Sequence, residues 1–356
     1  MSGNESTGDG PTNGEPPSDD SAVGLTGYGT YVPERVLTGE EIAAESDIPE
    51  EVVVEKMGVR EKRVCPPDGD HATDMCVSAA EDALADADLA PADVDMVLYH
   101  GSEFKDFVVW SAAANVAERL DAEDAFAVES YALCAGAPLA IRQAKSQLLA
   151  DTPETALLVS ASREEDLVDY ENEDSSFMFN FGSGACAMVL EEAPDESRTR
   201  AVVRESAAVT DGSFSEDVVM PAGGSRNPTS HTTVEQGLHT LDVPDPEGMK
   251  ERLADASLPN FLDVADDALA RSGYDRDDLD FVALTHMKRS FHDILTGKLD
   301  AENYYLDEYG HVQSVDQILA LDEALSRGLV AEGDLLCFLA AGTGYTWAAT
   351  VLEWQG

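Results

Sequence analysis

Two short stretches of this chain recur at one spacing. Asp93-Val94-Asp95-Met96-Val97-Leu98 returns as Asp278-Leu279-Asp280-Phe281-Val282-Ala283, and Asp82-Ala83-Leu84-Ala85 returns as Asp267-Ala268-Leu269-Ala270. Asp95 to Asp280 and Asp82 to Asp267 are the same ungapped offset of 185 residues. The ends correspond as well: Gly182-Ser183-Gly184 precedes Val189-Leu190-Glu191, and Gly342-Thr343-Gly344 precedes Val351-Leu352-Glu353. Three matches in one order identify an internally duplicated α/β unit. Within each copy, short apolar runs alternate with amphipathic helical patterns, which predicts a largely parallel sheet with helices on both faces. The first copy spans 22–196 and the second 197–356, with a polar segment, Asp211–Gly248, inserted as a cap. Residues 1–21 are almost devoid of apolar side chains and read as a disordered polar tail.

The charge narrows the environment. The chain carries 71 acidic against 22 basic residues, a formal net of −49, beside an ordinary 43% of hydrophobic residues. The acids are spread over helices that keep apolar faces, as in Glu81-Asp82-Ala83-Leu84. They form a solvated skin, and the composition resembles that of a halophile. Nucleic acid is excluded as a partner because phosphate binding needs a basic patch. No run reaches the roughly 18 apolar residues of a membrane span, and the N-terminus lacks a signal-peptide pattern. Five widely spaced cysteines, Cys65, Cys76, Cys134, Cys186 and Cys337, form neither a disulfide framework nor a metal motif. A cytoplasmic protein without a metal is expected.

One cysteine stands apart. Val128-Glu129-Ser130-Tyr131 ends a strand pattern, Cys134-Ala135-Gly136-Ala137 follows, and an amphipathic helix begins at Pro138. Unpaired amides and the positive helix end favour a thiolate there, and the small neighbours allow a substrate close approach. The competing reading is an inert cysteine packed as a small hydrophobe. His286, at the end of the strand pattern Phe281–Leu284, and His311, after Gly310, are the histidines that could join it, with His292 a competitor of His286.

Together these features resemble the thiolase superfamily, and within it the 3-oxoacyl-(acyl-carrier-protein) synthase III type. The resemblance rests on Gly24-Leu25-Thr26-Gly27-Tyr28-Gly29, Met57-Gly58-Val59-Arg60, Cys134-Ala135-Gly136, Phe181-Gly182-Ser183-Gly184 and Gly342-Thr343-Gly344. It implies a five-layer αβαβα fold and an acyl-thioester condensing enzyme working as a homodimer. No cofactor is implied beyond the acyl-CoA or acyl-carrier-protein substrate. It also implies Cys134 as nucleophile, His286 and His311 as its catalytic partners, and the amides of Cys134 and Thr343 as oxyanion hole, with Gly342 and Gly344 admitting the thioester.

The sequence departs from the synthase III pattern at three places. His311 stands where an Asn is usual. Val52 and Lys56 stand where a Trp and an Arg usually meet CoA, leaving Lys56 and Arg163 as candidate cations for the donor. Glu103 matches the loop in which HMG-CoA synthase carries a catalytic glutamate and is a possible base. Simple acyl transfer, a non-decarboxylating condensation and a non-catalytic partner subunit are the alternatives.

The acidic skin makes one expectation measurable. Raising KCl from about 0.1 M to about 1 M shortens the screening length from about 10 Å to about 3 Å. The melting temperature should rise across that range, and a flat or falling profile would contradict the role given to the charge.

Overall fold

The computed structural model describes residues 22–46, 48–150 and 153–356, so the polar tail lies outside the described residues. In the first half the strands are β1 (Val23–Tyr31), β2 (Val36–Thr38), β3 (Glu61–Arg63), β4 (Met96–Gly101), β5 (Phe126–Tyr131), β6 (Thr155–Ser162) and β7 (Gly184–Glu192). Its helices are α1 (Gly39–Ser46), α2 (Ala72–Asp86), α3 (Ala112–Arg119) and α4 (Gly136–Leu148). The second half adds β8 (Ala201–Thr210), β9 (Phe281–Leu284), β10 (Glu302–Asn303), β11 (Leu335–Gly342) and β12 (Thr346–Trp354). Its helices are α5 (His231–Glu235), α6 (Pro246–Ser272), α7 (Arg289–Leu299) and α8 (Asp316–Ser326).

The order across the sheet is β10-β9-β11-β12-β8-β1-β7-β6-β4-β5. Read inward from each edge, β5-β4-β6-β7-β1 and β10-β9-β11-β12-β8 are the same arrangement, and Met96 and Phe281, 185 residues apart, each begin the second strand from an edge. The halves meet where β1 pairs with β8 over Val23↔Val203, Gly24↔Val202 and Leu25↔Ala201. The expectation of a largely parallel sheet is corrected: only β5-β4-β6 and β10-β9-β11 run parallel, and the remaining pairs are antiparallel. The reason is the connection. A tight turn joins β11 to β12, and no α-helix crosses between β6 and β7, so both pairs return antiparallel.

Side-chain pattern assigns the layers. In α8, Ile318, Leu319, Ala320, Leu321 and Ala324 are all buried, as are Ala137, Ala140, Ile141, Ala144 and Leu148 of α4. Both helices pack into one core with strand residues of both halves, such as Leu98, Leu158, Phe281 and Phe338. Helices buried on so wide a face form a central layer. The opposite strand faces are covered by α2 and α3 in one half, and by α6 and α7 in the other. The result is helix, sheet, helix, sheet, helix, and the layers place the starts of α4 and α8 beside each other in the middle. At the periphery, the Thr38–Glu41 capping box opens α1: Thr38 N–H donates to Glu41 Oε2 at 2.8 Å, and Glu41 N–H to Thr38 Oγ1 at 3.3 Å.

Candidate active site

Cys134 lies in a single 3-10 turn, Leu133–Ala135, between the end of β5 and the start of α4. Leu133, just before it, has φ +50°, a left-handed conformation that costs a branched side chain energy and must be held by its surroundings. The turn is clasped from the other half by the end of β11. A Cβ on Gly342 would stand 2.4 Å from the Ala132 carbonyl oxygen and 3.2 Å from the Cys134 nitrogen, so only glycine lets the two backbones meet.

His311 reaches Cys134 from the second half. Its Nε2 is 3.0 Å from Cys134 Sγ, and its Nδ1 is 2.6 Å from Asp316 Oδ2. Its backbone is fixed as well: His311 N–H donates to Asn180 O at 2.7 Å, and Gly182 N–H donates to His311 O at 2.9 Å. Phe181, between those two residues, meets the imidazole edge-on at 5.2 Å. Asp316 is fully buried in the first turn of α8, where the helix dipole favours a carboxylate. It accepts the Val312 N–H on Oδ1 at 2.7 Å and the His286 N–H on Oδ2 at 2.7 Å. An oxygen that already accepts a backbone N–H takes the Nδ1 proton in the same way, so Nδ1 of His311 is protonated and Nε2 faces the sulfur. Burial disfavours the imidazolium, but the Asp316 carboxylate and Cys134 outweigh it and hold the His311 pKa well above its ordinary value.

His286 is different. Burial, and then the charges of His311 and His292, push its pKa well below the ordinary value and keep it neutral. Its ring lies over Tyr305 at 4.6 Å, and its Nδ1 is buried without a partner. His292 bonds Asn303 Oδ1 through Nε2 at 2.9 Å and does not face the reaction site.

A cavity of about 490 Å³ opens over these groups, lined by Cys134, His286 and His311 together with Lys56, Thr343 and Lys288. Two candidates for the site lie elsewhere. Glu103 is exposed and outside the lining. Arg163 binds Asp166 at 2.9 Å and the Gly69 carbonyl at 2.9 Å, away from the cavity. Gly344, at φ +130°, has nothing near its Cα and serves the turn. The inserted segment supplies no lining residue. It packs through Val243 against Phe181, while Leu253, Ser257 and Phe261 of the long α6 form that wall. Lys62 is fully buried, and its ammonium donates to Phe181 O at 2.6 Å. Burial pushes its pKa down to about 7.

Residues 128–212 match the family 3-oxoacyl-[acyl-carrier-protein (ACP)] synthase III, and residues 269–354 match the synthase III C-terminal family. A beta-ketoacyl-[acyl-carrier-protein] synthase III of Caldanaerobacter subterraneus subsp. tengcongensis is 29% identical over 339 residues, covering 94% of this chain and 98% of the relative. This chain is a synthase III-type acyltransferase of the thiolase superfamily. Its fold is that of the Aquifex aeolicus 3-oxoacyl-[acyl-carrier-protein] synthase III, with TM-score 0.78, 23% identity and coverage of 93% and 100% of the two chains. The priming beta-ketosynthase of the R1128 polyketide pathway superposes with TM-score 0.80 at 23% identity, covering 96% and 99%.

Within the synthase III frame, the residue that sequence reasoning missed is Asp316. Its only local signal is position, five residues after His311 at a helix start, and it is one acid among 71 acidic residues.

The buried histidines make the protein acid-labile in a defined window. His100, whose pKa burial lowers to about 3, and His286, whose pKa burial holds well below its ordinary value, are neutral in the folded state. A lowered folded pKa gives stability that is complete above the unfolded value near 6.5 and is lost as pH falls below it. Each should cost up to about 1.4 kcal/mol per pH unit over that descent. Denaturant unfolding of His100→Gln should show a shallower decline below pH 6.5 than the parent. An identical slope would contradict this assignment.

Proposed function

We propose that this acyltransferase loads an acyl group from a thioester onto Cys134 and then joins it to a second acyl thioester in a Claisen condensation. The observation that carries the reading is the contact of Cys134 Sγ with His311 Nε2 at 3.0 Å, backed by Asp316 at 2.6 Å. In loading, His311 accepts the thiol proton while Asp316 holds the ring in register, and the thiolate attacks the acyl carbon. The amides of Cys134 and Thr343 receive the oxyanion, and His311 returns the proton to the departing thiol. Cys134 is suited to this role and the other cysteines are not. Burial raises the pKa of Cys65 to about 11 and that of Cys337 to about 12, and it raises Cys76 and Cys186 as well.

The cavity supports an acyl thioester as ligand. Phe177, Phe181, Leu253, Phe261 and Phe291 offer an apolar wall for an acyl chain, and Lys56 and Lys288 bring two cations to the phosphates of CoA or of a carrier's pantetheine arm. No cofactor enters this scheme. The protein works as a homodimer in a salt-rich cytoplasm. Supporting this, β5 is an edge strand with its far side unpaired, Phe126 and Tyr131 are exposed on it, and Phe107, Val108 and Val109 are exposed on the loop between β4 and α3. That apolar patch suits a second copy better than water. Among the described residues no helix is long and apolar enough to cross a membrane, and all five cysteines are unpaired.

Incubation with acyl-CoAs from acetyl to decanoyl, followed by intact and peptide mass analysis, should place an adduct on Cys134 and none in Cys134→Ala. Lys56→Ala should raise KM for the CoA donor about 10- to 100-fold, the worth of a charged contact, with kcat little changed and Arg163→Lys without effect on KM. Absence of any adduct from a folded protein, with either CoA or carrier donors, would defeat the reading. Sedimentation in molar KCl should give a dimer, and Val108→Asp with Val109→Asp a monomer; an unaltered dimer would exclude this face.

A further inference from the structure

We infer that the second substrate is an acyl thioester activated by removal of an α-proton, with His311 as the base, and that condensation proceeds without loss of CO2. The inference rests on the acyl-enzyme reading above and names its second substrate.

Asp316 decides the matter. Its Oδ2 lies 2.6 Å from His311 Nδ1 and also accepts the His286 N–H, while Oδ1 accepts the Val312 N–H. Nδ1 therefore keeps its hydrogen through the cycle. In the free enzyme Nε2 faces Cys134 Sγ. Once the sulfur is acylated it holds no proton and no charge, and the proton His311 carried has left with the donor's thiol. Acylation also removes the Cys134 charge that helped to hold the imidazolium, so Nε2 then points a lone pair into the cavity. Decarboxylative condensation needs the opposite: a hydrogen-bond donor at this position for the developing enolate oxygen, which the usual Asn of the resembling enzymes provides. A lone pair there repels an enolate oxygen and attracts an acidic proton.

His286 supplies the missing donor. It lines the same cavity, and with Nδ1 sealed from solvent and unpartnered, Nε2 is the ring nitrogen a ligand reaches. A neutral imidazole with its hydrogen on Nε2 donates to a thioester oxygen as charge develops on it. Base and donor thus line one cavity with the acylated sulfur. In the step, His311 Nε2 takes a proton from the α-carbon, and the C–H pair becomes the enolate held by His286. The α-carbon attacks the acyl carbon on Cys134, and the new C–C bond replaces the C–S bond. The Cys134 thiolate leaves and recovers the proton from His311. Two acyl thioesters give one 3-oxoacyl thioester and one free thiol, with no oxidant, reductant or CO2.

The test loads Cys134 to completion with its acyl-CoA donor, checked by mass, and then adds acetyl-CoA in D2O. Deuterium should enter the methyl group of the recovered acetyl-CoA, at a rate about 10²- to 10⁴-fold lower in Asp316→Asn. His311→Asn should abolish the exchange and instead release CO2 from malonyl-CoA. Because His311 and Asp316 also serve the loading step, both variants are brought to complete loading by prolonged incubation with the donor, and an unchanged melting temperature separates loss of activity from unfolding. CO2 release from malonyl-CoA by the parent enzyme without α-exchange would overturn the inference. So would passage of the acyl group to an alcohol or amine without exchange. Failure of Cys134 to acylate at all would overturn the parent reading first and this one with it, whereas an intact adduct with no exchange overturns this one alone.

Discussion

A single carboxylate, fully buried at the start of α8, organises the candidate site of this protein. Asp316 could not be stable there uncompensated, because a charge removed from water costs several kcal/mol unless it is hydrogen-bonded. The fold meets that cost with two backbone amides, one imidazole and the helix terminus. Each of those partners is thereby placed. Val312 sets the turn into α8, His286 is tied by its main chain, and His311 is held in one tautomer. The acid is thus the common anchor of both histidines, and through His311 of Cys134. Replacing it would disturb three elements at once, which is why the conservative Asn variant is the informative one.

The duplication explains why such an anchor can exist. Each half ends its second strand from the edge at the middle of the molecule, but the two copies use that position differently. In the first half the position is Gly101, at φ +113°, where a Cβ would stand 2.7 Å from Ser314 Oγ and 2.8 Å from Ser160 Oγ. In the second half, 185 residues on, it is His286. One copy leaves room for Ser314 of the turn into α8; the other fills the equivalent place with a ring that lines the cavity. The site lies where the halves meet and belongs to neither. Backbone bridges between Asn180–Gly182 and His311, and between the Cys134 turn and Gly342, hold the two contributions together.

Much of this was legible in the chain. The repeat exposed the two-fold order of strands because apolar strand cores and Ala-rich helix faces are packed alike in both halves. Cys134, His286 and His311 were legible because histidine and cysteine are scarce, so their positions at strand ends and after glycine stand out. Asp316 was not, since in a chain clothed in acids a buried one looks like its neighbours, and only packing distinguishes them. Glu103, raised by its place in the loop after β4, is exposed. Lys62 is masked in the other direction: in sequence it sits between Glu61 and Arg63 like a surface charge, yet it is fully buried and its ammonium donates to the Phe181 carbonyl. The mixed strand direction depended on connection geometry between β6 and β7, where 3-10 turns replace a crossover helix, and periodicity does not report that.

The most direct test of the account is the protonation of His311 in the acylated enzyme, read from the nitrogen NMR shifts of its ring and assigned by comparison with His311→Ala. The account predicts a neutral ring with its hydrogen on Nδ1, bonded to Asp316, and an unprotonated Nε2 facing the acyl group. A ring that carries its hydrogen on Nε2, or that stays doubly protonated after acylation, would contradict it, because His311 would then be a donor rather than a base.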